Sequence, residues 1–350
     1  MNTELALTVE SVQRTTPSSV QLTFAPLPTA LRYRAGQYLT FHVPIDGQTY
    51  PRPYSLVGSP SRSDPLSIVV KRIPDGLVSG HLFDHAAAGL QLTASGPLGR
   101  FCVQPRVGQR HVVLIGGGSG ITPLYSIASE LLLQEPETTI SLLYCNVSPA
   151  EIILRIEIEQ LVQRSAGRLR VTHVLERDAD RVGACAGRLD PSCAATLIGD
   201  LAGGKPAEFY LCGPKGLMDV VHEALRELGV PGARVFEELF VRADEADSEQ
   251  ADSDVAGLAE ACRVSLCVDG QESSVLVPAG ATILEAALDA GVPIETSCRV
   301  GDCGTCKLRL LRGEVHQAEA EGLTPEEEDE GYVLTCISRP RSSDVALTDD

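Results

Sequence analysis

Over the first hundred residues, apolar and polar positions alternate in short runs such as Val20–Phe24, Tyr38–Val43 and Leu66–Lys71, broken by Gly and Pro. Period two sends successive side chains to opposite faces, so each run predicts a half-buried strand. Six short strands closing into an antiparallel β-barrel is the expectation for residues 1–106. Near residue 110 the pattern changes. The continuous apolar run His111–Ile115 predicts a strand buried on both faces, and Pro123–Leu133 has a helical pattern. Strands at Ile140–Tyr144, Leu169–Leu175 and Glu208–Cys212, with helices at Glu151–Arg164 and Leu217–Leu228, continue the alternation. That order predicts a parallel α/β domain with right-handed crossovers over residues 107–240.

Residues 241–260 are dominated by Ala, Asp, Glu and Ser and contain no aromatic residue, which predicts a flexible acidic linker. A third domain over residues 261–350 opens with a predicted hairpin, Arg263–Val268 and Ser274–Val277. Thr282 and Glu285 have capping-box spacing for a helix Ile283–Ala290, and Gly291 stands where a C-terminal cap belongs. Thr324, Pro325 and Glu327 repeat that start signal.

Charge adds a constraint on partners. The 350 residues carry a net charge of −18, and residues 241–350 alone hold 8 Lys or Arg against 24 Asp or Glu. Such a surface repels phosphate backbones, which excludes nucleic acid, and it is compatible with a basic protein partner. No apolar run approaches the roughly 20 residues that cross a bilayer. Met1–Val12 lacks the basic flank and apolar core of a secretion signal. The expectation is a cytoplasmic monomer with no membrane insertion.

The cysteine count is 11, an odd number that argues against a disulfide framework. Cys298, Cys303 and Cys306 follow an x4, x2 spacing, and Cys336 comes after 29 intervening residues. This is the plant-type ferredoxin spacing for a [2Fe–2S] cluster. Gly301 and Gly304 allow a loop to bring backbone amides close to negatively charged sulfurs. A four-cysteine zinc site is the alternative, but such sites usually show two short Cys pairs.

Two further segments carry candidate chemistry. In Arg52-Pro53-Tyr54-Ser55, an Arg can clamp phosphate, a Tyr can stack on a flavin, and a Ser can hydrogen-bond the ring nitrogen that accepts hydride. Val70-Lys71-Arg72 and Gly76-Leu77-Val78-Ser79 follow, where amides opening a short helix can hold a pyrophosphate. Taken alone, Arg52–Ser55 also reads as a turn beside an edge strand. Downstream, Gly116-Gly117-Gly118-Ser119-Gly120-Ile121-Thr122-Pro123 joins a strand to a helix, again aiming amides at a pyrophosphate. Pro123 occupies the place of a Rossmann fingerprint's third glycine, and no Asp or Glu ends the next strand, so the ordinary Rossmann reading fails.

These motifs resemble the ferredoxin–NADP reductase superfamily. Its flavin barrel carries Arg-x-Tyr-Ser and Gly-x-x-Ser, and its nucleotide loop has the proline found at Pro123. Gly36-Gln37-Tyr38 and Gly96-Pro97-Leu98-Gly99 match its framework turns. The likeness spans roughly residues 5–345 and extends to flavin reductases with a fused C-terminal plant-type ferredoxin. Those reductases serve multicomponent oxygenases, the phenylacetyl-CoA epoxidase type among them.

The resemblance implies a β-grasp fold for the ferredoxin domain, with Cys298 and Cys303 on one iron and Cys306 and Cys336 on the other. It implies FAD rather than FMN, and it places Arg52, Pro53, Tyr54, Ser55, Val70, Lys71, Gly76, Val78 and Ser79 at the flavin. Gly118, Ser119, Gly120, Thr122, Cys212, Gly213 and Pro214 would meet the nicotinamide nucleotide. Ser55, Cys212 and Glu238 would carry the catalytic step, with Glu237 the competing choice one position off.

Relatives often carry Asn-Arg where this chain has Asn146-Val147, which tilts the coenzyme to NADH; Arg177 and Arg181 nearby would favour NADPH. The implied activity is electron transfer from NAD(P)H through FAD and the cluster to an oxygenase or hydroxylase component. A flavin/iron–sulfur redox sensor is the alternative class. A desaturase, an epoxidase or a hybrid-cluster protein are alternative acceptors.

Overall fold

The computed structural model describes residues 4–62, 64–181, 185–240, 261–296, 301, 304–317 and 322–349. It forms two compact units, Met1–Phe240 and Val241–Asp350.

The first unit begins with an antiparallel sheet. Its strands are β1 (Glu4–Thr16), β2 (Ser19–Phe24), β3 (Tyr38–Ile45), β4 (Gln48–Ser55), β5 (Ser67–Lys71) and β6 (Gln91–Leu98), in the order β4-β3-β6-β1-β2-β5. The expected closed barrel is instead an open half-barrel: among the described residues the ends meet only through a bridge, Val57 to Ser67. The physical reason lies in the connection that follows. Ser59 and Ser61 donate to the buried carboxylate of Glu130, which draws that loop away from the sheet. Helix α1 (Leu77–His85) follows β5 and buries Val78, Leu82 and Phe83 in the core of the sheet.

A parallel sheet completes this unit. Its strands are β7 (His111–Gly117), β8 (Thr139–Asn146), β9 (Leu169–Leu175), β10 (Cys185–Ala186), β11 (Ala207–Gly213) and β12 (Val235–Leu239), in the order β10-β9-β8-β7-β11-β12. Helices α2 (Ile121–Gln134), α3 (Arg155–Arg164), α4 (Pro191–Ala202) and α5 (Lys215–Glu227) cover it. The chain moves from β7 to β8, β9 and β10 on one side and then returns to place β11 and β12 on the other. The carboxyl ends of β7 and β11 therefore border a switch-point crevice, where ligands of such sheets bind.

Helix α3 starts four residues later than its pattern predicts. Leu154 adopts a left-handed conformation, φ 57°, and Ile152, Ile153 and Leu154 turn into the core, which delays the helix. Helix α4 has no counterpart in the sequence reading. Its Asp190 cap, which accepts from the Cys193 amide, and Gly203 in left-handed conformation are the signals that mark it.

The second unit holds a five-stranded mixed sheet and a two-stranded ladder. The predicted hairpin is present as β13 (Cys262–Val268) and β14 (Gln271–Val277). Strands β15 (Lys307–Arg312), β16 (Val315–Gln317), β17 (Tyr332–Leu334), β18 (Ser338–Pro340) and β19 (Ala346–Thr348) follow. The helix Ile283–Asp289 has both halves of its capping box, Thr282 and Glu285, and Gly291 follows with φ 78°. Thr324 and Glu327 cap the helix Pro325–Asp329 in the same way. The expected linker, residues 241–260, lies outside the described residues. No helix among the described residues is long and apolar enough to cross a membrane.

Candidate active site

The glycine loop and the Cys212 turn pack against each other at the switch point. Gly116 is the register partner of Cys212. A Cβ on Gly120 would lie 2.1 Å from the Cys212 carbonyl oxygen, and one on Gly117 would lie 3.0 Å from Pro214 and 2.7 Å from Leu217. These two glycines thus serve the contact between β7 and β11. Gly213 fits the same contact, its Cβ position 3.1 Å from the Gly117 amide nitrogen. The Thr122 hydroxyl donates to the Ser119 carbonyl at 3.0 Å, so that side chain shapes the turn.

Cys212 is fully buried, and its Sγ lies 4.0 Å from Glu238 Oε2. The two residues are register partners on β11 and β12. Glu237 instead meets His222 Nε2 at 2.5 Å and is half-buried. Of the two carboxylates the sequence leaves open, Glu238 is the one beside Cys212.

Arg52–Ser55 ends β4, an end strand of the antiparallel sheet. Arg52 and Tyr54 alternate onto one face, and Pro53 and Ser55 onto the other. Tyr54 sets its ring edge-on to Phe41 at 5.9 Å, and burial raises its hydroxyl pKa. Ser55 is buried.

Val70 and Val78 belong to the core, so only their backbone can face a ligand. The Ser79 hydroxyl accepts from the Ile73 amide at 3.2 Å, which fixes the turn into α1. Lys71 reaches across to the glycine loop, its Nζ 3.0 Å from where a Gly118 Cβ would stand. The flavin-type and nicotinamide-type segments therefore meet at this lysine.

Helix ends agree with anionic ligands. Helices α1, α2 and α5 have no side-chain cap and no acid in their first turn. Helix α4 and the helix Ile283–Asp289 carry side-chain caps. The open amides lie at the segments expected to hold phosphates. At the carboxyl end of β8 the buried Asn146 side chain lies beside the Tyr144 hydroxyl. The residues present thus fit both a flavin and a nicotinamide nucleotide.

In the second unit Cys306 and Cys336 are buried, at 3 % and 7 % exposure. Thr335, next to Cys336, donates its hydroxyl to the Cys306 carbonyl at 2.9 Å and holds the two cysteine segments together. Gly304, φ 70°, packs so closely on Gly322 that a Cβ would lie 2.6 Å from its carbonyl oxygen. This tight glycine wrapping suits a thiolate-held cluster. Cys298 and Cys303 lie outside the described residues.

Sequence reasoning misses two contributors. Glu130 ties the loop after β4 to α2, and Tyr144 lies beneath the glycine loop. The signal for either is slight: Glu130 is the one acidic residue of α2, and Tyr144 the one aromatic residue of β8.

Comparison with known proteins agrees with this layout. Residues 7–102 match an oxidoreductase FAD-binding domain, 114–223 an oxidoreductase NAD-binding domain, and 266–341 a 2Fe–2S iron–sulfur cluster binding domain. The chain is 34 % identical to the ferredoxin reductase component of 3-ketosteroid-9-alpha-monooxygenase from Rhodococcus rhodochrous, over 95 % of this chain and 93 % of that protein. It is 32 % identical to one of the subunits of 1,2-phenylacetyl-CoA epoxidase from Escherichia coli (strain K12), over 100 % of this chain and 99 % of that protein. Among solved structures, phthalate dioxygenase reductase superposes with a TM-score of 0.64 at 25 % identity, covering 99 % of this chain and 98 % of that one.

The chain belongs to this family of NAD(P)H-dependent flavoprotein reductases with a 2Fe–2S domain. It is an oxidoreductase that passes electrons from NAD(P)H through FAD to a [2Fe–2S] cluster.

Proposed function

We propose that this reductase delivers its electrons to an oxygenase or hydroxylase component, using NADH. The relatives named as oxygenase components support the partner. The full-length likeness to an epoxidase component favours, as a second reading, an epoxidase acceptor. Val147 after Asn146 supports NADH. The odd count of 11 cysteines suits a reducing, cytoplasmic setting, and the protein is read as a monomer.

Three domains fit the pattern: an FAD-binding domain at residues 1–106, an NAD(P)-binding domain at 107–240 and a ferredoxin domain at 261–350, with 241–260 as linker. The parallel β13/β19 pair, the β13–β14 hairpin and the helix Ile283–Asp289 support a β-grasp class for the last.

FAD, when bound, supplies the conversion of a hydride into single electrons that the cluster can take. The chain's own residues position the reactants. Arg52 and the open first-turn amides at Val78 and Ser79 hold the flavin phosphates, Gly76 closes the turn before them with its amide on the Ile73 carbonyl, and Tyr54 with Pro53 borders the ring. Ser55 presents a hydroxyl donor from its buried place at the end of β4. Gly118, Ser119 and Gly120 receive the nucleotide pyrophosphate, and Lys71 balances its charge. Cys212, Gly213 and Pro214 border the nicotinamide, with Glu238 beside the Cys212 thiol to keep that wall polar. Cys298, Cys303, Cys306 and Cys336 hold the cluster.

The observation that carries this reading is Lys71 Nζ standing over Gly118, which joins both cofactor segments in one crevice. A Cys306→Ser variant tests the order of transfer. It is expected to lose the cluster's iron and the reduction of the partner while NADH-dependent dye reduction stays within about twofold, because only positioning at the flavin is needed for the dye. Loss of dye reduction with the flavin still bound would show that the cluster precedes the flavin.

A further inference from the structure

The glycine loop is held from beneath by a residue outside every motif. Tyr144 of β8 is fully buried, and its position continues a register row across five strands: Glu238, Cys212, Gly116, Tyr144 and His173. The Tyr144 hydroxyl donates to the Gly118 carbonyl at 2.9 Å and lies 3.4 Å from that of Ile153. The His173 ring packs on the other side with centroids 5.8 Å apart. Burial raises the phenol pKa, so the hydroxyl stays a donor through the neutral range.

The consequence follows from peptide geometry. The Gly118 carbonyl and the Ser119 N–H belong to one planar trans peptide, in which C=O and N–H point in opposite directions. The Ile121 amide also donates to the Gly118 carbonyl as the chain turns into α2; with that carbonyl held by Tyr144 as well, the Ser119 N–H points away from Tyr144 and from the sheet. Gly118 has φ 55°, a left-handed conformation that glycine adopts without steric cost. Lys71 Nζ stands beside the same residue. An outward carbonyl here would instead repel an anion.

We propose that Tyr144 is a positioning residue for the pyrophosphate of the nicotinamide dinucleotide, holding the Gly118–Ser119 peptide with its N–H toward the ligand. This rests on the reading of the crevice as the nicotinamide nucleotide site. The test compares two reductants in dye reduction by the flavin-loaded protein: NADH, and reduced nicotinamide mononucleotide, which lacks the pyrophosphate and the adenosine.

In Tyr144→Phe the KM for NADH is expected to rise about fivefold, the size set by one neutral hydrogen bond, with kcat within about twofold. The KM for the mononucleotide is expected to hold. A purely structural role would move both reductants alike, so equal rises overturn the proposal, as does no rise with either. Should Tyr144→Phe lose its flavin, calorimetric titration of that variant and of the unaltered protein freed of flavin with ADP-ribose replaces the assay: about fivefold weaker binding to the variant is expected, and equal binding overturns the proposal. Failure of the unaltered protein to oxidise NADH would overturn the reading of the site rather than the role of Tyr144.

Discussion

At the scale of single residues, the proposed preference for NADH rests on one side chain. Val147 follows the buried Asn146 at the end of β8, and its carbonyl accepts from the Arg177 amide at 2.9 Å. In the proposed site, an arginine in place of Val147 would stand at the end of β8, within the crevice assigned to the nucleotide. One charge-assisted bond to a 2′-phosphate is worth about 1.5–3 kcal/mol, so Val147→Arg is expected to raise kcat/KM for NADPH roughly tenfold or more relative to NADH. Steady-state kinetics with the two coenzymes decides it; an unchanged ratio would move the specificity to Arg177.

The same residue scale shows what the chain spells out. The four cysteines, the glycine loop and Arg52–Ser55 are legible because their chemistry needs fixed types at fixed local spacing. Tyr144 and Glu130 are not, since each acts on a segment far from it in sequence. The choice of Glu238 over Glu237 is open in the sequence for the same reason: the register of β11 with β12 puts Glu238 opposite Cys212.

At the scale of elements, the parallel sheet is anchored at the end opposite the crevice. Arg110, just before β7, pairs with Glu135 after α2 at 2.6 Å, and both side chains are almost fully buried. Burial opposes ionisation of Glu135, but hydrogen bonds from Arg110, Thr138 and the Arg106 amide, with the charge of Arg110, prevail and lower its pKa. Arg110 also pairs with Glu208 at 2.6 Å and so keeps a carboxylate when Glu135 is neutralised; Glu135→Gln is therefore expected to destabilise the first unit by about 1–3 kcal/mol at pH 7, the cost of weakening its charged hydrogen bonds.

The sign with pH follows from the depressed folded value. The ionised pair contributes fully above the ordinary Glu pKa of about 4.3, and its contribution fades as pH falls through the lower folded value. Denaturant melts of the two proteins should therefore converge in acid; a gap that widens as pH falls would refute the assignment. Element boundaries are less legible than elements. The pattern Glu151–Arg164 predicts a helix one turn too long because hydrophobic period cannot register a left-handed residue such as Leu154. The open edge of the antiparallel sheet is likewise hidden, since it depends on Glu130 pulling on Ser59 and Ser61.

At the scale of the whole molecule, the division at Phe240 separates the machinery that handles hydride from the cluster unit. The first unit has its own cores on both sheets, and its cofactor segments all come from within it. Its two sheets are tied by contacts that do not involve the second unit: Ser126 donates to the Gly58 carbonyl, Ser18 to Glu151, and Ser59 and Ser61 to Glu130. A chain ending at Phe240 keeps all of these contacts. It is expected to be yellow, to melt in one cooperative step and to reduce a dye with NADH at a rate within about twofold of the full chain, while losing all transfer to the partner, since no cluster remains to take single electrons. Calorimetry, flavin content and the two assays measure this together. A colourless or aggregated product would mean that the cluster unit is required for the flavin-binding fold, and the division at Phe240 would not then mark a folding boundary.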